Sequence, residues 1–281
     1  MRFLRIGPAG AERPVLRRDG RDFDLSGVTG DVDGEFLRRV TEGELDLSAA
    51  ELPEIDVRDR RVGAPIARPG VIACIGLNYA AHAAESGVAP PAHPVLFYKA
   101  PNTLVGPNDD ILVPRGSAKT DWEVELAVVI GRRARYLSSP DEALACVAGY
   151  AVANDVSERD FQLSVSGGQW SKGKSCETFN PMGPELVTPD ELPDGPQALR
   201  LRSRVNGELR QDSSTADMVF DVATLIWHLS QYTVLDPGDV INTGTPEGVA
   251  LSGRFPYLRP GDVVEMEIDG LGAQISKVAA A

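Results

Sequence analysis

The sequence predicts a β-rich α+β fold with mixed sheets, on three observations. Short apolar runs bounded by Gly, Pro, Asn and Asp recur along the chain, among them VIACIGLNY, VLFYK and GYAVAN. Only one stretch carries a clear helical pattern, with Met218, Val222, Leu225, Ile226, Leu229 and Tyr232 on one face and Ser213, Ser214 and Thr215 offering caps. No GxGxxG motif follows a strand and no P-loop is present, which argues against a Rossmann or P-loop fold.

With 281 residues the chain is long enough for one large domain, or a large domain and a small one. A net charge of -13 argues against nucleic acid and against acidic membrane surfaces as partners. The start, MRFLRIGPAG, lacks the apolar run of a secretory signal, and no stretch reaches the roughly 18 apolar residues of a membrane span. Cys74, Cys146 and Cys176 are far apart and odd in number, so they suit neither a disulfide framework nor a zinc site. They read as small buried hydrophobes in a reducing compartment, and the expected location is the cytoplasm.

In chain order, residues 1–67 are charged and broken up, and predict a small N-terminal domain of short strands with one short helix. GAPIARPG (63–70) reads as a linker, which leaves 68–281 as the catalytic domain. VIACIGLNY predicts a buried strand and AAHAAESG a short helical turn ending at Gly87. The prolines of VAPPAHP (88–94) exclude regular structure and mark a loop that could act as a lid. VLFYK, the end of GPNDDILVP, DWEVELAVVIG and GYAVANDVS predict further strands, and SVSGGQWSKGKSC a Gly/Ser-rich loop. Two echoing Pro-Gly turns, LDPGDVI and LRPGDVV, each feed a strand.

The informative stretch is DWEVELAVVIG. Glu123 and Glu125 stand two apart and so share a strand face. Spacing alone is not specific, because Glu265 and Glu267 repeat it on a strand that reads as an ordinary half-solvated one. The first pair differs in running into LAVVIG, apolar on both faces, where two carboxylates about 7 Å apart lose several kcal/mol of hydration each. Asp155 ends the neighbouring apolar run GYAVAN. Three carboxylates meeting in a covered cleft, with no Cys or His cluster, suit a hard cation such as Mg²⁺ or Mn²⁺. His82 and Glu85, three apart, share one face of a helical turn. Such a pair is a surface contact or, in a cleft, a general-base dyad.

The motifs IGLNYAAHAAESG, DWEVELAVVIG, ANDVSERDFQ, GKSCETFNPMGP, VNGELRQDSSTADMVF and INTGTPEGV occur in this order. Together they resemble the fumarylacetoacetate hydrolase superfamily over about residues 70–281. The resemblance implies a β-roll or sandwich catalytic domain, a divalent metal, a homodimer and chemistry on β-keto or 2,4-diketo acids. It implies Glu123, Glu125 and Asp155 as the metal ligands. No further acid stands in CIGLN before the histidine motif, so a three-ligand site is expected. His82 and Glu85 are implied as the dyad, Lys174 rather than Lys172 as the residue that stabilises enolate charge, and Gln162 and Thr245 as substrate-binding residues. Gly244 would allow close approach, Tyr98 would line the pocket, and Arg159 either pairs with a carboxylate or lies on the surface. His93 receives no role and His228 is expected to be solvated.

The implied reaction is hydrolysis of a C–C bond in an acylpyruvate-like 2,4-diketo acid through a metal-stabilised enolate. The lid would close to bring His82 into place. A β-keto acid decarboxylase or keto-enol tautomerase is the alternative on the same site, and a non-catalytic binding protein is the third reading.

Overall fold

The computed structural model describes residues 1–281. The N-terminal segment forms a meander of β1 (Arg2–Ile6), β2 (Arg13–Arg18) and β3 (Arg21–Asp24), followed by helix α1 (Gly34–Thr41). Asp33 caps α1 by accepting the Phe36 N–H at 2.9 Å, and Phe36 stands edge-on to Phe3 of β1. The GAPIARPG stretch is not an exposed connection, since residues 63–66 are buried. Arg5 donates to the carbonyls of Ala64 and Ile66, which lets apolar and proline residues pack with their backbone oxygens satisfied.

Then come β4 (Ile72–Gly76), helix α2 (Ala80–Glu85), β5 (Val95–Lys99), β6 (Leu104–Val105), β7 (Ile111–Val113), β8 (Thr120–Asp121), β9 (Val124–Ile130), β10 (Val147–Asn154) and β11 (Ser157–Glu158). A π-helical turn at Asp160–Ser164 and the one-turn helix α3 (Ser171–Lys174) lie within 160–176. SVSGGQWSKGKSC is therefore not all loop. The remainder holds β12 (Asn180–Pro181), β13 (Leu186–Val187), β14 (Arg200–Val205), β15 (Glu208–Ser214), helix α4 (Val222–Ser230), β16 (Val240–Asn242), β17 (Val263–Ile268) and β18 (Gly272–Ala280). No helix is long and apolar enough to cross a membrane.

A nine-stranded sheet runs β3-β2-β1-β13-β10-β9-β16-β4-β5, and a five-stranded sheet runs β15-β14-β17-β18-β7. Both are mixed: β16 pairs parallel to β4, and β18 parallel to β7. The N-terminal meander joins the large sheet through the β1–β13 pairing. The β9 strand lies in the middle and is buried along its whole length. Leu126, Val128 and Ile130 face a core shared with Leu201, Val264 and Met266 of the second sheet and with Leu225 and Leu229 of α4. Ala127 and Val129 face the N-terminal segment, packing with Phe3, Leu16 and Phe36. Covering both faces explains why the run alternates in neither charge nor polarity. By contrast β17 alternates, with Val264, Met266 and Ile268 buried, Glu267 exposed and Glu265 half-buried.

The helix predicted from about residue 215 begins only at Val222. Asp221 is its cap, accepting the Thr224 N–H at 2.7 Å, while Ser213 and Ser214 end β15 and Thr215 opens a 3-10 turn. Tyr232 lies beyond the helix and is exposed. The two Pro-Gly turns share one device: Asp239 accepts the Asp236 N–H at 2.8 Å, and Asp262 accepts the Arg259 N–H at 2.7 Å.

Asn78 fixes the approach from β4 to α2. Its amide donates to Phe220 O at 3.0 Å and Thr243 O at 2.8 Å, and its oxygen accepts the Phe220 N–H at 2.9 Å. Asn78→Ala strands these groups in the interior and is expected to lower the unfolding free energy by about 2–4 kcal/mol in a urea titration.

Candidate active site

The antiparallel register of β9 and β10 builds the acidic floor. Glu125 stands opposite Ala153, and beyond the last paired residues the Asp155 N–H donates to Glu123 O at 3.0 Å. The Glu123 N–H in turn donates to Asn154 Oδ1 at 3.0 Å. This closure brings Glu123, Glu125 and Asp155 together, with one carboxylate oxygen of each within 4.8 Å of the others and all three buried.

Cations crowd around them. Lys174 Nζ lies 2.7 Å from both Glu123 Oε2 and Asp155 Oδ2. Lys99 Nζ pairs with the other oxygen of Asp155 and donates to Val156 O at 3.0 Å. Arg159 Nε donates to Asp121 Oδ2 at 2.8 Å. Its Nη2 sits 2.7 Å from Glu123 Oε1 in ionic contact, although the N–H directions miss hydrogen-bond alignment. Burial pushes the Glu123 carboxyl up, but Lys174, Arg159 and His82 outweigh it and hold it well below the usual range. Glu125 goes the other way, driven well above its ordinary value by burial and by the charges of Asp155 and Glu123. Its Oε2 accepts the Gly244 N–H at 2.8 Å, and no salt bridge reaches it. Four buried carboxylates, counting Asp121, thus face three cations. An all-oxygen donor set with one ligand lacking a counter-charge fits a hard divalent cation.

Lys174 is the lysine that reaches the floor, whereas Lys172 Nζ turns to Ser166 O at 3.0 Å. Burial pushes Lys174 down and the charges of Asp155 and Glu123 more than restore it, so it stays an ammonium. Gly173 explains the choice. A Cβ there would lie 2.3 Å from Glu158 O and 2.4 Å from Gln162 N, so α3 packs directly on the π-helical turn.

Helix α2 carries the dyad, with His82 Nδ1 3.1 Å from Glu85 Oε1. The Gly248 N–H donates to both Glu85 oxygens, at 3.0 and 3.1 Å, and so holds the carboxylate in place. With Glu85 as acceptor Nδ1 carries the hydrogen, and in the neutral ring Nε2 is then the basic nitrogen. His82 lines the same cavity as Glu123, Glu125 and Lys174, and Val88 of the proline-rich loop lines it too.

That cavity, of ≈ 350 Å³, is also lined by Arg159, Gln162 and Thr245. Gln162 Oε1 accepts Arg159 Nη1 at 3.0 Å, which leaves the amide NH₂ without a partner in the chain. The Thr245 hydroxyl is committed to Val124 O at 2.9 Å and Gln211 Nε2 at 2.8 Å, while its backbone N–H has no acceptor within the chain. Arg159 proves to be a buried partner of carboxylates, not a surface residue. Gly244 faces Glu125 and Asn78 instead of the cavity: its φ is +99°, and a Cβ would come 2.7 Å from Asn78 Cβ. Tyr98 is a correction. It is 40% exposed on the outer face of β5, because alternation gives the inner face to Phe97 and Lys99. His228 is half-buried where solvation was expected, with its ring stacked on His93 at 6.3 Å and tilted against Tyr232 at 5.0 Å.

Lys99 and Asp121 were missed. Both were visible as alternation: Lys99 stands two after inward Phe97, and Asp121, Glu123 and Glu125 form one period-two series. Asp121 anchors the wall, accepting the Ala250 and Leu251 N–H groups at 2.8 and 2.9 Å. Gly173→Ala is expected to displace Lys174 and Gln162 together, lowering kcat by about 10²-fold or more while the far-ultraviolet circular dichroism stays unchanged; an unaltered rate contradicts the packing argument.

The profile described as fumarylacetoacetate (FAA) hydrolase C-terminal matches residues 71–279, the segment that holds every group named above. A 2,4-didehydro-3-deoxy-L-rhamnonate hydrolase of Sphingomonas sp. (strain SKA58) is 46% identical, with 99% of this chain and 96% of that protein aligned. The solved structure of fumarylacetoacetate hydrolase from Exiguobacterium antarcticum superposes with a TM-score of 0.86 at 37% identity over 100% of both chains. Maleylpyruvate hydrolase from Sphingobium sp. SYK-6, solved with manganese(II) and pyruvate, gives a TM-score of 0.81 at 28% identity over 100% of both chains. A family profile over residues 71–279 and a relative 46% identical along nearly the whole of both chains show that this chain belongs to the fumarylacetoacetate hydrolase family.

Proposed function

We propose that the chain is a hydrolase that breaks a C–C bond in a 2,4-diketo acid. The observation that carries this reading is the His82–Glu85 pair, oriented at 3.1 Å, in the wall of a cavity floored by Glu123, Glu125, Asp155 and Lys174. The manganese and pyruvate bound in the maleylpyruvate hydrolase structure support an oxygen-liganded dication and a 2-keto acid at such a floor. Glu123, Glu125 and Asp155 would hold a divalent ion, magnesium or manganese, which supplies Lewis-acid stabilisation to oxygens where negative charge develops.

The chain's own residues do the rest. Thr245 N–H and the Gln162 amide are free donors for the substrate carboxylate. His82 Nε2 takes a proton from water, with Glu85 stabilising the imidazolium that forms. Hydroxide attacks the C4 carbonyl carbon. The C3–C4 bond then breaks, one product leaves as a carboxylic acid, and the electron pair stays on the 2-keto acid fragment as an enolate. Lys174 has three N–H donors and commits two to Glu123 and Asp155, so the third is available to the enolate. The proton held by His82 returns to C3.

Decarboxylation of a β-keto acid needs the enolate-stabilising floor but no attacking water, so the two activities separate by mutation. With acylpyruvates, His82→Ala is expected to lose about 10²–10⁴-fold in kcat. The same variant should keep any decarboxylation of oxaloacetate, while Lys174→Met loses both. An undiminished hydrolase rate in His82→Ala overturns the dyad.

A further inference from the structure

The cavity divides by burial into floor and mouth. Glu123, Glu125 and Lys174 are almost fully buried, whereas Val88 and Leu163 line the same cavity and are each 46% exposed. The first group is therefore the floor and the second the mouth. Trp170 adds a fixed apolar surface to the wall. A Cβ on Gly76 would lie 2.6 Å from the indole, and the ring stands 5.6 Å edge-on from Phe97. The two permanent cations that line the cavity are held at the floor, Lys174 by Glu123 and Asp155, and Arg159 by Asp121 and Glu123. The remaining charged group is Glu85, an anion beside Ser86 and Val88.

A substrate seated with its keto acid end on the floor places its distal arm against Val88, Leu163, Trp170 and Glu85. A second carboxylate on that arm would lie against apolar side chains without gaining a cation and would face the Glu85 charge. An uncharged arm meets neither cost. At ≈ 350 Å³ the cavity is near the small end of ligand sites, so it encloses only a short arm. We propose that the site selects keto acids bearing a single carboxylate and a short uncharged arm, and that Val88, Leu163 and Trp170 set that preference. The substrate class rests on the reaction proposed above; the charge selectivity also has a readout of its own.

The test uses the full chain with manganese present and two matched pairs. Butanoylpyruvate and succinylpyruvate differ in the terminal group of an arm of equal length, and report kcat/KM. 2-Oxohexanoate and 2-oxoadipate lack the second ketone and report binding by calorimetry. The neutral-armed member is expected to win by about 100-fold in each pair. Leu163→Arg, at a position open enough for the guanidinium to reach water, should shrink both ratios at least tenfold. Equal or reversed ratios in the wild-type protein overturn the selectivity. If neither diketo acid is cleaved the proposed reaction falls, and the calorimetric ratio still decides the selectivity.

Discussion

Everything in this molecule's centre follows from buried carboxylates that outnumber the cations beside them at the bottom of a cavity. Glu123, Glu125, Asp155 and Asp121 are buried, and Lys99, Lys174 and Arg159 are buried with them. Each ionised group there costs several kcal/mol of lost hydration unless it is paired. The lysines and the arginine satisfy three of the acids, and Glu125 is left with a backbone N–H. A protein with no use for such a cluster would be more stable with apolar residues of the same volume. Its presence at the bottom of a cavity argues for a ligand that completes the charge count.

The surrounding fold serves to hold that cluster in one geometry. The register of β9 and β10 sets the spacing of the acids, and the two sheets cover the strand from both sides. Loops then bring in the rest at close quarters. Gly173 lets α3 lie on the π-helical turn, so Lys174 and Gln162 arrive as one unit. Gly244 turns its N–H to Glu125, and Asn78 ties the start of α2 to the segment before α4 and to the strand end at Thr243. Glu85 bridges α2 and Gly248, so the dyad is held from both sides. These are contacts between segments more than 100 residues apart in several cases, such as Asn78 to Phe220 and Glu125 to Gly244.

That distance also marks what a sequence can disclose. The alternation of β17 against the unbroken run of β9 was legible, because periodicity reports how many faces of a strand are covered. The convergence of Glu123 and Glu125 with Asp155 was legible for the same reason: acids at the edge of doubly buried strands demand an explanation. Tyr98 and Lys99 show the limit. One residue of phase decides which points inward, and resemblance to a motif did not resolve it. The start of α4 failed differently. Apolar residues at 218 and 222 share a helical spacing, but Asp221 competes for the cap and wins. The closeness of His93 and His228 had no local signal, since it arises from packing a proline-rich loop on a helix over a hundred residues away.

The most direct test of the central claim is manganese binding to the purified, chelator-treated chain, followed by calorimetry and electron paramagnetic resonance. The charge imbalance predicts one tightly held ion per chain in the wild type, and loss of that site in Glu125→Gln. A wild-type protein that takes up no ion, or a Glu125→Gln protein that binds as well as the wild type, contradicts it.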